Sequence, residues 1–120
     1  MKQLPEIICR YQENGAFYNI ALENVTGLRL LKIQPGAKPA YWVFSFRAEN
    51  RDGLLRRMRE KGVYASRVHL RNDLYSCFEK GKWDLPGVDA FQSEVLSIPC
   101  GPWVGQEERE YIVHQIKEGW

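Results

Sequence analysis

One run constrains the fold of this chain more than any other: Tyr41-Trp42-Val43-Phe44-Ser45-Phe46. Aromatic and β-branched residues suit a pleated, half-buried surface, so the run predicts a strand. The segment before it, Gln34-Pro35-Gly36-Ala37-Lys38-Pro39, carries two prolines and a glycine and must turn. A shorter run, Leu28 to Ile33, lies just upstream, and runs this close pair antiparallel. Downstream, Asn50 is placed to cap a helix over 51–61, with Leu54, Leu55 and Met58 on its buried side and Gly62 as its stop. Val63 to Val68 then predicts a third strand.

The flanks are helical. Over 5–24, Pro5 suits the first turn, and Ile7, Ile8, Tyr11, Tyr18 and Leu22 recur on one stripe that Gly15 interrupts. After an irregular polar and aromatic stretch over 69–87, a short helix is expected over 88–95 and a short strand near Leu96-Ser97-Ile98. A last helix covers 106–118, with Glu107 and Glu108 in its first turn and Lys117 in its last, as the helix dipole favours. The order reads as one α+β domain over 1–120: a helix at 5–24, then a body at 28–120. Its architecture is a two-layer sandwich, a small, mainly antiparallel sheet packed by helices.

Composition narrows the function. The chain has 120 residues, 44% apolar and 27% charged, which suits an ordinary globular domain rather than a disordered one. Seventeen Lys and Arg against fifteen Asp and Glu leave a net charge of +2, which disfavours nucleic-acid binding. No apolar run approaches the roughly 20 residues that span a bilayer, and Met1 to Glu6 lacks a signal-peptide core. No membrane partner and a cytoplasmic location are expected.

Chemistry-bearing motifs are sparse. Cys9, Cys77 and Cys100 lack metal-ligand spacing and read as reduced thiols. The densest polar cluster is Arg67-Val68-His69-Leu70-Arg71-Asn72-Asp73. There His69 can serve as acid or base, and Arg67 or Arg71 can grip a phosphate or carboxylate. The simpler reading makes Asn72 and Asp73 turn residues and Arg71 an ion-paired surface side chain. The basic residues Arg51, Arg56, Arg57, Arg59 and Lys61 read as a solvated helix face, His114 as a surface residue, and Trp103 and Trp120 as packing residues. No catalytic, cofactor-binding or metal-binding set emerges.

The order of short segments goes further. Arg10-Tyr11 through Tyr18-Asn19, Val25-Thr26-Gly27-Leu28, the Tyr41 to Phe44 run, Leu54 to Val63, Val68 to Asp73, Leu85-Pro86-Gly87, Ile98 to Trp103 and the closing Glu107 to Trp120 segment resemble the C-terminal small domain of DegT/StrS-type sugar aminotransferases. These are pyridoxal-phosphate enzymes of the aspartate-aminotransferase fold. The resemblance implies that residues 5–24 form a linking helix. It also implies that the Schiff-base lysine and most phosphate contacts belong to a larger N-terminal domain, absent from this sequence. Lysines 2, 32, 38, 61, 80, 82 and 117 lie in no cofactor-lysine context, so transamination by this chain alone is not expected and no cofactor is assigned to it.

The resemblance places Val68 to Asp73 near the sugar-nucleotide end of the family's active site. His69 and Arg71, with Arg67 and Asn72, are therefore the candidate substrate contacts. It also orphans one face of the first helix, leaving Ile7, Ile8, Tyr11 and Tyr18 as an association surface, most simply a homodimer. The leading expectation is a non-catalytic module that associates, or weakly binds an anionic, sugar-nucleotide-like ligand. Two alternatives stand beside it. One is the small-domain subunit of a split aminotransferase whose large-domain chain supplies pyridoxal phosphate. The other is a regulatory domain that binds a small anion.

Overall fold

The sheet is built around the aromatic run, shifted along it. Strand β1 (Leu28–Leu30) pairs antiparallel with β2 (Phe44–Ala48), which pairs antiparallel with β3 (Val95–Ile98), giving the order β1-β2-β3. The computed structural model describes residues 3–78 and 83–120. The helices are α1 (Leu4–Ala21), α2 (Arg51–Glu60), α3 (Pro86–Glu94) and α4 (Gln106–Lys117). The fold is α+β, as the sequence predicts.

Alternation along β2 sets the two faces of the sheet. Phe44, Phe46 and Ala48 are buried, and their neighbours in register include Ile98 and Leu96 on β3. Tyr18 and Leu22 of α1, Leu54 and Met58 of α2 and Ile112 and Ile116 of α4 close over this side in one continuous core. The other face is polar. Arg29 and Arg47 stand opposite each other across β1 and β2, a repulsive pairing that Glu94 of α3 offsets by accepting from both. Ser45 and Ser97 share a hydrogen bond of 2.8 Å between their hydroxyls on the same face.

Asn50 caps α2 as expected, in the left-handed region (φ 46°), with its side chain accepting from the Gly53 amide at 3.3 Å. Arg51 departs from its expected place on a solvated face. It is buried, ion-pairs with Asp52 at 2.7 Å and donates to the carbonyls of Gln92 and Val95, tying α2 to the end of α3.

Other expectations need correction. The strand over 63–68 is reduced to one bridge, Ser66 to Ser97. The Ala65 amide turns back to the Val63 carbonyl at 2.8 Å, which curls the segment out of extended register before it can pair further. The strand at 41–46 begins only at Phe44, because Tyr41 adopts φ 52° and leaves the sheet. Its ring lies over Gly15 of α1, where an added Cβ would overlap it, and its hydroxyl accepts from Asn19 Nδ2 at 2.8 Å. The glycine that interrupts the apolar stripe is thus the seat of an aromatic ring.

The association stripe also changes. Tyr18 is wholly buried and donates its hydroxyl proton to the Pro99 carbonyl at 3.0 Å, so it belongs to the core and not to a free face. Asn14, one turn before it, is buried too. Its side-chain amide faces the carbonyls of Cys100, Gly101 and Val104 at 3.0–3.3 Å and anchors α1 on the loop before α4. Ile7 and Ile8 remain exposed and Tyr11 half-buried.

Candidate functional site

The segment leaving α2 carries the predicted site residues and separates them. After the Ser66 bridge the chain runs over the surface, and the exposed Arg67 side chain forms no hydrogen bond or ion pair among the described residues. His69 lies against the Trp42 indole, with ring centroids 5.6 Å apart, while its carbonyl accepts from Gln92 Nε2 at 3.2 Å. Asn72 opens a single 3-10 turn (Asn72–Leu74), and its carbonyl accepts from the Tyr75 amide.

Arg71 is the organiser of this loop. Its Nε and Nη2 donate to the two carboxylate oxygens of Asp73 at 2.8 and 2.7 Å, a two-pronged pair. Its Nη1 donates to Asp89 of α3. Hydrogen bonds from Arg71 hold the Asp73 carboxyl below its usual value, and those to Asp73 and Asp89 hold the guanidinium more firmly protonated. An anion seeking Arg71 must displace a carboxylate that is already there.

His69 alone of the four lines a groove of about 620 Å³, with Trp42, Tyr41, Asn19, Lys32 and Lys38 among its walls. Two exposed ammonium groups and an imidazole stand beside a half-exposed indole. Such a surface can stack on a flat or ring-shaped ligand and hold its anionic end.

A second concavity, of about 460 Å³, went unforeseen. Tyr64, Trp103 and Tyr111 form its apolar walls and Glu107 and Glu108 its charged ones. Trp103 is 72% exposed and lies outside the core. A Cβ at Gly101 would overlap three atoms of its six-membered ring, so one face of the indole lies flat on the backbone there. Tyr11 meets it edge-on, with centroids 6.2 Å apart. The signal was Gly101 two residues before Trp103, a backbone bare enough for a ring to lie on. Trp120, by contrast, does pack on the core, and its indole N–H donates to the Glu49 carbonyl at 2.7 Å.

The basic helix face offers little to an anion. Arg51 is buried, Arg57 pairs with Glu118 at 2.6 Å, and Arg59 donates to the Ala65 carbonyl. Burial pushes the Cys100 thiol up to about 12, whereas Cys9 and Cys77 are exposed. Among the described residues no cluster of His, Cys, Asp and Glu could hold a metal ion, and no helix is long and apolar enough to cross a membrane.

The described residues do not fit pyridoxal phosphate. Aldimine formation needs a buried, positioned lysine, and Lys32, Lys38, Lys61 and Lys117 are all exposed. Lys2, Lys80 and Lys82 lie outside the described residues.

Comparison with known proteins agrees with the segment order. The family model "DegT/DnrJ/EryC1/StrS aminotransferase family" matches residues 1–117. The erythromycin biosynthesis sensory transduction protein EryC1 of Saccharopolyspora erythraea is 32% identical over 107 residues, 85% of this chain and 29% of its own length. A dTDP-3-amino-3,4,6-trideoxy-alpha-D-glucose transaminase of Streptomyces venezuelae is 27% identical over 87% of this chain and 28% of its own length. Among solved structures, the sugar aminotransferase CalS13 of Micromonospora echinospora superposes with a TM-score of 0.93 at 32% identity, over 99% of this chain and 32% of that one. AtS13 of Actinomadura melliaura superposes equally well, at 33% identity and with 32% of its length covered. The chain thus spans about a third or less of the relatives it matches.

Proposed function

The chain belongs to the DegT/DnrJ/EryC1/StrS aminotransferase family, and from that premise we propose that it acts as a small domain that docks on a cofactor-bearing body and completes its sugar-binding end. The carrying observation is the uncovered aromatic surface: Trp42, Tyr64 and Trp103 are 52%, 78% and 72% exposed. Contiguous apolar surface of this kind marks a site of association. The three rings are continuous in space, because one hollow is lined by Trp42, Tyr64 and Trp103 together.

In this reading the chain performs no aldimine chemistry. Pyridoxal phosphate, held by the docked body, would supply the electron sink for transamination. His69 and Trp42 wall the sugar end, where stacking on the indole and a hydrogen bond from the imidazole orient a ring-shaped substrate. Arg71 sets the height of that wall by clamping Asp73 to Asp89 and leaves charge recognition to Lys32 and Lys38, with Arg67 outside the groove. Asn72 shapes the turn behind it.

A second reading has its own observation. Leu4, Ile7 and Ile8 are exposed together on α1, and a homodimer through that stripe would cover them. Light scattering behind a sizing column separates the two. The chain is run alone over a tenfold concentration range, then mixed with the N-terminal two-thirds of CalS13. Docking predicts a 14.0 kDa monomer that joins that body in a one-to-one complex. A stable dimer indifferent to the added body overturns it in favour of self-association.

A further inference from the structure

The trough beside α4 has a chemistry of its own. Its apolar walls are Tyr64, Trp103 and Tyr111, and the charged side chains lining it are Glu107 and Glu108, with no cation among them. Neither carboxylate forms an ion pair among the described residues. Both lie in the first turn of α4, at the positive end of the helix dipole. A purely apolar occupant would strip water from two charges without replacing their hydrogen bonds. An anionic occupant would meet two like charges.

The walls narrow the choice further. The Tyr111 hydroxyl is already committed, donating to the Lys61 carbonyl at 3.0 Å, so that ring is fixed in place. The Trp103 indole lies flat on Gly101 and turns its other face outward. A tryptophan face is the strongest aromatic partner for a cation, and a planar guanidinium can stack on it while forking to a carboxylate. An ammonium satisfies the charge but not the flat wall.

We propose that this trough receives the guanidinium of an arginine presented by the docking partner, stacked on Trp103 and paired with Glu107 or Glu108. The inference rests on the docking reading above and names the contact that specifies the partner's surface.

The test uses the 120-residue chain and two peptides, acetyl-Leu-Arg-Leu-amide and its citrulline counterpart, which keeps the shape and loses the charge. The tryptophan indole N–H resonances are followed by NMR, with that of Trp103 assigned through Trp103→Phe. The arginine peptide is expected to move the Trp103 signal saturably and leave Trp42 unmoved. The citrulline peptide should bind about fivefold more weakly. Glu107→Gln with Glu108→Gln should erase the difference between the peptides, with the circular dichroism of the chain unchanged. Equal affinity for the two peptides, a shift that never saturates, or indifference to the glutamates overturns the proposal. Complex formation with the CalS13 body while both peptides fail sinks this inference and spares the docking reading. Peptide binding without that complex overturns the docking reading, and with it the partner named here, while keeping the trough as a guanidinium site. A dimer that Trp103→Ala dissolves makes a second copy the occupant and also overturns it.

Discussion

Two stretches of the chain spend similar side chains in opposite ways. From Phe44 to Met58, the large apolar residues lock into the core: Phe44, Phe46, Leu54 and Met58 are all buried. From Tyr64 to Phe78, Tyr64, Leu70, Leu74, Tyr75 and Phe78 are all about half or more exposed. Hydrophobicity does not separate them; backbone partnership does. The first stretch has two strand neighbours and a capped helix, so every second residue has somewhere to go. The second has one bridge and one 3-10 turn, and its rings have no layer to enter. Burial follows from having a regular element that aims a side chain at the core.

Substitutions can break or sharpen that contrast. Phe46→Ala should have the largest effect, about 3–5 kcal/mol in urea unfolding, because a fully buried ring leaves a cavity on the central strand. A loss as small as that from Leu74→Ala would erase the distinction. Asn14→Ala comes next, at about 1–3 kcal/mol, since three carbonyls of the 100–104 loop lose a buried donor. Asn50→Ala should cost about 1 kcal/mol by removing the α2 cap, and Asn50→Gly only a few tenths, because glycine tolerates the positive φ. Trp103→Ala and Leu74→Ala should change stability by about 0.5 kcal/mol or less, while Trp103→Ala abolishes the complex with the docked body.

The smallest effect is one of pH. Asp73 is held below its usual value of 3.8 by Arg71, so its pairing contributes above that pH and fades as the solution becomes more acidic. Backbone resonances of residues 69–75 should broaden below about pH 4 while those of β2 stay sharp. Simultaneous broadening of both stretches would show that the loop is not an independent unit.

Much of this was readable in the residues. Asn50 ahead of an amphipathic run, the aromatic strand and the Glu107-Glu108 start of α4 each carry a local signal that tertiary packing leaves alone. What escaped is where a local signal met a distant partner. Val63 to Val68 has strand-like residues, but an amide turned back on Val63 leaves it one bridge. Tyr41 has the composition of β2 and leaves it for Gly15, 26 positions away in a helix. Arg51 looks like a solvated cation until two carbonyls from the end of α3 and the start of β3 enclose it. For the candidate site, the sequence marked Arg71 and His69 as polar in a loop. It could not tell that one is clamped by two carboxylates and the other lines a groove.

The first turns of α1 have a consequence for measurement. Residues 3–10 are all exposed, and the buried anchors of the helix begin only at Asn14. A free helical stretch this short is marginal in water, because nucleation costs more than a few hydrogen bonds return. Its amide protons should therefore exchange within a small opening free energy, while those beyond Asn14 wait for global unfolding. Any molecule that covers Leu4, Ile7 and Ile8 would lengthen the protected stretch toward its amino end. Amide exchange in these turns is thus a built-in gauge of association, and it reads occupancy without touching the groove, the trough or the loop.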